Sequence, residues 1–92
     1  MPEANIDYKS RRLFFDNLKK LEQRDLEDFV LSLLSGSEIK DISRRLMVAK
    51  LLKDGLTYED IVDIMGMSES TIGKIHAKTH GSPVVNKLFN KD

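Results

Sequence analysis

A short polar run between positions 68 and 78 carries side chains of the types that proteins use to contact nucleic acid. It contains small hydroxyls, a carboxylate, a glycine and two lysines, and a further hydroxyl lies shortly before it. The full set is Thr57, Ser68, Glu69, Ser70, Thr71, Gly73, Lys74 and Lys78. Hydroxyls and carboxylates can exchange hydrogen bonds with base edges in the major groove, and lysines neutralise phosphates. The run predicts a surface for double-stranded DNA; an ordinary solvated helix is the alternative interpretation.

The residues of this run differ in how strongly each one indicates contact with a particular DNA base. Ser70 and Thr71 can donate to or accept from several bases, so they indicate contact without naming a base. Glu69 could accept a hydrogen bond from cytosine N4, or could simply place a negative charge near a helix N-terminus. A glycine inside a helix, such as Gly73, costs about 1 kcal/mol relative to alanine. Close approach to DNA or tight packing against a central helix would each explain why this position has no side chain.

The apolar residues between positions 57 and 78 recur at the offsets of two short helices that cross at a steep angle. Ile61 and Met65 lie four residues apart on the first helix, and Ile72 and Ile75 lie three apart on the second. Met67 is expected to fill the angle between them. The segment TYEDIVDIMGMSESTIGKIHAK therefore predicts a helix-turn-helix whose second helix begins with the polar run.

Both helices of this motif have start and stop signals in the sequence. Thr57 is expected to cap the first helix, with Asp60 as an acidic partner three residues later. Gly66 follows the last apolar residue of that helix and should adopt a positive φ, which glycine does without steric penalty. Ser68 is expected to cap the second helix.

Helical periodicity extends over most of the remaining chain. It predicts helices over about 7–21 and 26–34, a third helix that follows a capping signature at 35–38 and ends near 54–55, and a short helix over 82–90 that docks on the core or on a partner subunit. The third helix should be central, because its apolar face is unusually wide. That face comprises Ile39, Ile42, Leu46, Met47, Val48, Ala49, Leu51 and Leu52. No strand-like alternation occurs, so the expected fold is an all-α single domain over 1–92 with about six helices.

Composition excludes several classes of protein and site. There is no cysteine and there are only two histidines among 92 residues, which argues against disulfides and metal sites. His76 and His80 could reach phosphates, and neither belongs to a pattern typical of an enzyme, so we expect no catalytic site and no cofactor. No apolar run is long enough to span a bilayer and the start does not look like a signal peptide, which predicts a cytoplasmic location. Fifteen basic and fifteen acidic residues cancel, which predicts modest, salt-sensitive DNA binding.

The stretches ISRRLMVAKLLKDGLTYEDI and MSESTIGKI, within residues 33 to 78, resemble the Trp repressor superfamily and especially its tryptophan-independent branch of YerC/YecD-type proteins. The resemblance implies a two-fold symmetric, intertwined homodimer. In such a dimer residues 7–55 and the helix at 82–90 would contribute to a shared core, and residues 57–78 would form the DNA-binding head. It also implies a transcriptional regulator, most simply a repressor.

The resemblance further places a ligand site between the central and recognition helices. Members that bind tryptophan use an arginine on the central helix, which Arg44 or Arg45 could match, and an arginine followed by glycine on the recognition helix. Lys74 and Ile75 stand at those two positions here. Because a branched side chain at Ile75 would occupy the space of the indole, we expect no response to tryptophan; any other effector is unknown. Arg44 and Arg45 could instead contact a phosphate, pair with Asp41 or be solvated.

A homodimeric, sequence-specific regulator is therefore the leading functional prediction. A protein-interaction module that uses the helix-turn-helix as a scaffold is the first alternative. A DNA-binding domain like those of replication initiators is the second.

Overall fold

The computed structural model describes residues 2–90 as helices joined by short turns, with no strand in that range. The helices are α1 (Pro2–Lys20), α2 (Leu26–Leu33), α3 (Gly36–Lys53), α4 (Tyr58–Met65), α5 (Glu69–Thr79) and α6 (Pro83–Leu88), and a 3-10 turn covers Gln23–Asp25. The all-α, six-helix prediction is confirmed. Residues 1, 91 and 92 of the predicted domain lie outside the described residues.

The helix limits follow the sequence signals closely, with one exception. Helix α3 begins directly after Ser35 and ends before Gly55, whose φ of +91° ends the helical path. Helix α6 begins at Pro83 with Ser82 as its cap, within the range 82–90 predicted for this helix. Helix α1, however, begins at Pro2 and not near Asp7. The predicted beginning was based on the spacing of apolar residues, which marks only the face of a helix that can be buried. Proline is compatible with the first turn of a helix, so the helix can begin before that face does.

The chain divides into two compact units, one ending at Ser35 and the other beginning at Gly36. In the first unit, the rings of Phe14 and Phe29 stack with centroids 6.0 Å apart and join α1 to α2. The side chains described in this unit, residues 5–35, include none that is buried. Its best-covered apolar residues, Leu18, Leu21, Phe29 and Leu34, are only partly buried.

The second unit has a hydrophobic core at the meeting point of α3, α4 and α5. Five side chains are buried there: Val48 and Ala49 from α3, Ile61 from α4, and Ile72 and Ile75 from α5. Around them pack the partly buried Leu51, Leu52, Leu56, Tyr58, Val62, Met65 and Met67. The predicted apolar framework of the helix-turn-helix is thus confirmed, with the isoleucines inside and the two methionines at the edge.

The predicted wide buried face of α3 is covered only in part. Val48 and Ala49 are buried, whereas Ile42 remains 54% exposed and Leu46 and Met47 are each 46% exposed. The reason is that the isoleucines of α4 and α5 pack against Val48 and leave Ile42, Leu46 and Met47 uncovered within the chain. Helix α6 is also largely uncovered, with Val84 70% exposed.

Among the described residues, no helix is both long and apolar enough to cross a membrane.

Candidate nucleic-acid interface

The beginning of α4 is fixed by a reciprocal pair of hydrogen bonds. The Thr57 hydroxyl oxygen accepts from the backbone N–H of Asp60, and an Asp60 carboxylate oxygen accepts from the backbone N–H of Thr57, each at 3.1 Å. This is a capping box, and it satisfies two backbone donors that the helix itself leaves unpaired. The predicted cap is confirmed. Thr57 is also solvent-exposed, so its proposed contact with DNA is sterically open.

Gly66 makes the turn between α4 and α5. Its φ of +68° and ψ of +27° are left-handed, and its N–H donates to the carbonyl of Val62 at 2.9 Å. A side chain at this position would be strained, so the glycine sets the direction in which the chain leaves α4. Met67 then packs against the core, as predicted for the residue that fills the angle between the helices. Residues 57–78 therefore form a helix-turn-helix.

Residues 68–71 at the first turn of α5 are all exposed, and two of their hydroxyls are hydrogen-bonded to each other. The Ser68 hydroxyl oxygen accepts from the backbone N–H of Thr71 at 3.2 Å and donates to the Thr71 hydroxyl at 3.0 Å. Glu69 and Ser70, which lie between them, are exposed. The cap at Ser68 is as predicted. The side chains of Glu69 and Ser70 are consequently the ones best placed to meet a base edge.

Basic residues of α3 and α5 face each other across a cleft of about 690 Å³. Its walls carry four cationic side chains and a single carboxylate. They are lined by Asp41, Arg44, Arg45, Met67, Thr71, Lys74, Ile75, Lys78 and Thr79. This arrangement brings Lys78 together with Arg44, Arg45 and Lys74, the positions at which the resemblance places a ligand site. The cleft and its rim attract anions, whether a phosphate of DNA or a small acidic molecule.

The two arginines of α3 differ in environment. Arg44 is half-buried, and its Nη2 donates to the carbonyl oxygen of Met65, the last residue of α4. Arg45 is exposed. Within the described part of the chain, neither arginine forms an ion pair with Asp41. Arg45 is thus accessible to a phosphate, whereas at least one nitrogen of Arg44 already has a partner.

Gly73 faces the start of α4 and not the central helix. A Cβ added to it would lie 3.9 Å from Cε2 of Tyr58 and 4.0 Å from the Tyr58 hydroxyl oxygen, which is ordinary van der Waals contact. Tight packing against α3, one of the two explanations for this glycine, is therefore not what the structure shows. There is room for an alanine here.

The Tyr58 hydroxyl lies 2.8 Å from Nδ1 of His76, and this hydrogen bond links α4 to α5. The two rings meet edge to face at 5.9 Å, and His76 in turn meets His80 at 5.1 Å. This link was not predicted from the sequence. The available signal was the hydroxyl group of Tyr58, because a buried Tyr hydroxyl usually requires a hydrogen-bond partner. No set of three potential metal ligands occurs among the described residues.

Negative charge is concentrated on a different side of the motif. Four carboxylates border a shallow depression beside α4: Glu59, Asp60, Asp63 and Glu69. The lysines at 74 and 78 lie instead on the wall of the basic cleft. The carboxylates around α4 oppose a polyanion and the cationic side chains of the cleft attract one, so the net neutrality of the chain conceals an uneven distribution of charge across the motif, with Glu69 at the acidic border of α5.

Comparison with known proteins gave one family match. The model of the family described as Trp repressor protein matches residues 9–91, which include α2 to α6 and most of α1. No curated protein and no solved structure matches the chain.

Proposed function

The chain belongs to the Trp repressor family, and from this premise we propose that it is a sequence-specific DNA-binding repressor that acts as a homodimer without responding to tryptophan. The observation that carries the proposal is the helix-turn-helix itself. Its second helix is capped by Ser68 and held on a core by Ile72 and Ile75, while Glu69 and Ser70 remain exposed at its start. Recognition helices contact base edges through the residues of their first turn.

The proposed contacts with DNA divide into two kinds. Glu69, Ser70 and Thr71 would face base edges, and Gly73 would permit close approach of the backbone. Lys74, Lys78 and Arg45 would neutralise phosphates, which supplies affinity independent of sequence. Thr57 and Ser68 are both exposed and would contact DNA through their hydroxyls at the two helix starts that they cap.

The uncovered apolar surface supports the homodimer. Large apolar side chains are exposed on α1, α2, α3 and α6. They include Leu13, Phe15, Leu31, Leu33, Ile42, Leu46, Val84 and Leu88. Monomeric proteins rarely expose this much apolar surface, and a second copy of the chain would bury it. A two-fold dimer would place two recognition helices in successive major grooves, about 34 Å apart.

The position of Ile75 supports the absence of a tryptophan response. Its side chain is 7% exposed, packs in the core with Val48, Ile61 and Ile72, and also borders the cleft between α3 and α5. The space that a glycine would leave for an indole is therefore filled by the chain itself. Lys74 also lacks the planar, forked guanidinium that binds a carboxylate with two parallel hydrogen bonds. These two features support the proposal that the chain belongs to the tryptophan-independent branch of the family.

The decisive experiment combines light scattering with selection of bound sites from random duplex DNA. We expect a dimer that enriches a pseudo-palindromic site and binds it equally well with and without tryptophan. A monomer that enriches an asymmetric site would favour the replication-initiator alternative. Failure to enrich any site would favour the protein-interaction module, in which the helix-turn-helix serves as a scaffold.

A double variant then tests the assignment of the reading surface. Lys74→Ala with Lys78→Ala should weaken binding to the selected site and lower the slope of log affinity against log salt by about two, because each phosphate contact contributes about 0.9. The matched control is Lys53→Ala with Lys87→Ala, which removes two positive charges from a depression elsewhere in the same unit. Equal losses in the two double variants would mean that only net charge matters.

A further inference from the structure

Helix α4 is held at both ends by side chains from the two helices against which it packs. At its start, the hydroxyl of Tyr58, its first residue, forms a 2.8 Å hydrogen bond with Nδ1 of His76 on α5. At its end, Nη2 of Arg44 on α3 donates to the carbonyl of Met65, its last residue. Both links are partly buried. Each joins α4 to a neighbour through a polar contact with a defined direction, which apolar packing alone does not provide.

The Arg44 link acts on the turn of the motif. The carbonyls of the last helical turn lack partners within the helix, and they form the negative end of the helix dipole, so a guanidinium there is doubly favourable. The next residue, Gly66, is the one that redirects the chain into α5. Arg44 therefore connects the middle of α3 directly to the point that determines where the recognition helix begins.

The Tyr58 link acts on the angle between the two helices of the motif. A Cβ added to Gly73 would lie at ordinary van der Waals distance from the Tyr58 ring, and the Tyr58 hydroxyl reaches His76 in the second half of α5. Because Tyr58 stands at the beginning of α4, rotation of α5 about the turn would break this hydrogen bond. The two links together constrain the position and the tilt of α5.

We propose that Arg44 and Tyr58 are positioning residues for DNA binding, which act through the Met65 carbonyl and through His76 and do not touch DNA. This inference rests on the proposed function. It distinguishes Arg44 from Arg45, since Arg44 supports the turn whereas Arg45 is free to contact a phosphate. It also means that contacts within the chain contribute to fixing the presentation of the recognition helix.

The test measures affinity for the selected DNA site over a range of salt concentrations, at a temperature at which circular dichroism shows every variant folded. Arg44→Met removes the donor and keeps an apolar stem, while Arg44→Lys restores a charged donor. Tyr58→Phe removes only the hydroxyl. We expect affinity to fall about tenfold in Arg44→Met and about fivefold in Tyr58→Phe, because hydrogen bonds to charged groups are the stronger ones. Arg44→Lys should recover most of the loss.

The salt dependence separates positioning from phosphate contact. A positioning residue changes affinity but leaves the slope of log affinity against log salt at the wild-type value, whereas loss of one phosphate contact lowers the slope by about one. Arg45→Met serves as the matched control on the adjacent residue and should lower the slope. A lowered slope in Arg44→Met, or wild-type affinity in both Arg44→Met and Tyr58→Phe, would overturn the proposal. Failure of the proposed function appears differently, as absence of any selected site for the wild-type protein.

Discussion

The segment before Ser35 and the segment from Gly36 onward are both helical and both rich in apolar residues, yet buried side chains occur only in the second among the residues whose burial is described, 5–90. In the second unit three helices meet, and each isoleucine of the core is enclosed from more than one direction. The first unit has two helices joined through Phe14 and Phe29, and this contact leaves every described side chain of the unit at least partly exposed. Periodicity predicts a helix, but a core forms only where other elements cover its apolar face.

This difference assigns separate tasks to the two units. The unit from Gly36 onward carries the motif and supplies its own core, so its geometry is set within the chain. The unit up to Ser35 offers apolar surface, which fits the dimerisation proposed above. Variants in each unit should therefore affect different measurements.

The largest expected effect is loss of stability when the core of the second unit is hollowed. Ile72 is fully buried, and Ile72→Ala should lower the free energy of unfolding by about 2–5 kcal/mol, from lost burial together with the cavity that remains. Ile64→Ala, the same truncation at a side chain that is 60% exposed on α4, should cost far less. Chemical denaturation of both variants checks the difference. Equal losses would break the claim that the core lies among α3, α4 and α5.

The next effect concerns self-association through the first unit. Leu33 is exposed at the end of α2, and Leu33→Glu should raise the dimer dissociation constant by at least about tenfold, because burying an unpaired carboxylate is strongly unfavourable. Ser32→Glu adds the same charge to the preceding, exposed residue without removing an apolar side chain. Sedimentation or light scattering across a dilution series measures both. If Ser32→Glu has the same effect, charge and not apolar contact governs association.

A smaller effect is expected at the start of the motif. Thr57→Ala deletes the hydroxyl that caps α4 and should lower the free energy of unfolding by about 1 kcal/mol. Thr57→Ser keeps the hydroxyl and should retain most of that stability. Thermal unfolding is a sufficient measurement. A loss in Thr57→Ser as large as that in Thr57→Ala would point to the methyl group and not to the cap.

The smallest effect is a gain in stability. Gly73→Ala places a Cβ at ordinary contact distance from Tyr58 and should stabilise the protein by up to about 1 kcal/mol, through improved helix propensity. A simultaneous fall in affinity for the selected site would show that the glycine serves close approach to DNA. Destabilisation would instead mean that the Tyr58 ring cannot accommodate the added carbon.

Much of the motif was predictable because its signals are local. The caps at Thr57 and Ser68 and the positive φ at Gly66 depend on residues within four positions, so the sequence contained everything that determines them. The coverage of α3 was not predictable in the same way. Ile42 and Val48 are both apolar and both belong to the predicted face, but α4 and α5 cover Val48 and not Ile42.

The sequence by itself determined which segments become helices, where each helix of the motif begins and ends, and which isoleucines face inward, because these properties arise from contacts within one or two turns. The tertiary structure decided which apolar faces are buried against other helices. It also decided which polar side chains meet: Tyr58 with His76 across 18 residues and Arg44 with the Met65 carbonyl across 21. Such pairs depend on how whole helices cross, and no local pattern encodes that angle.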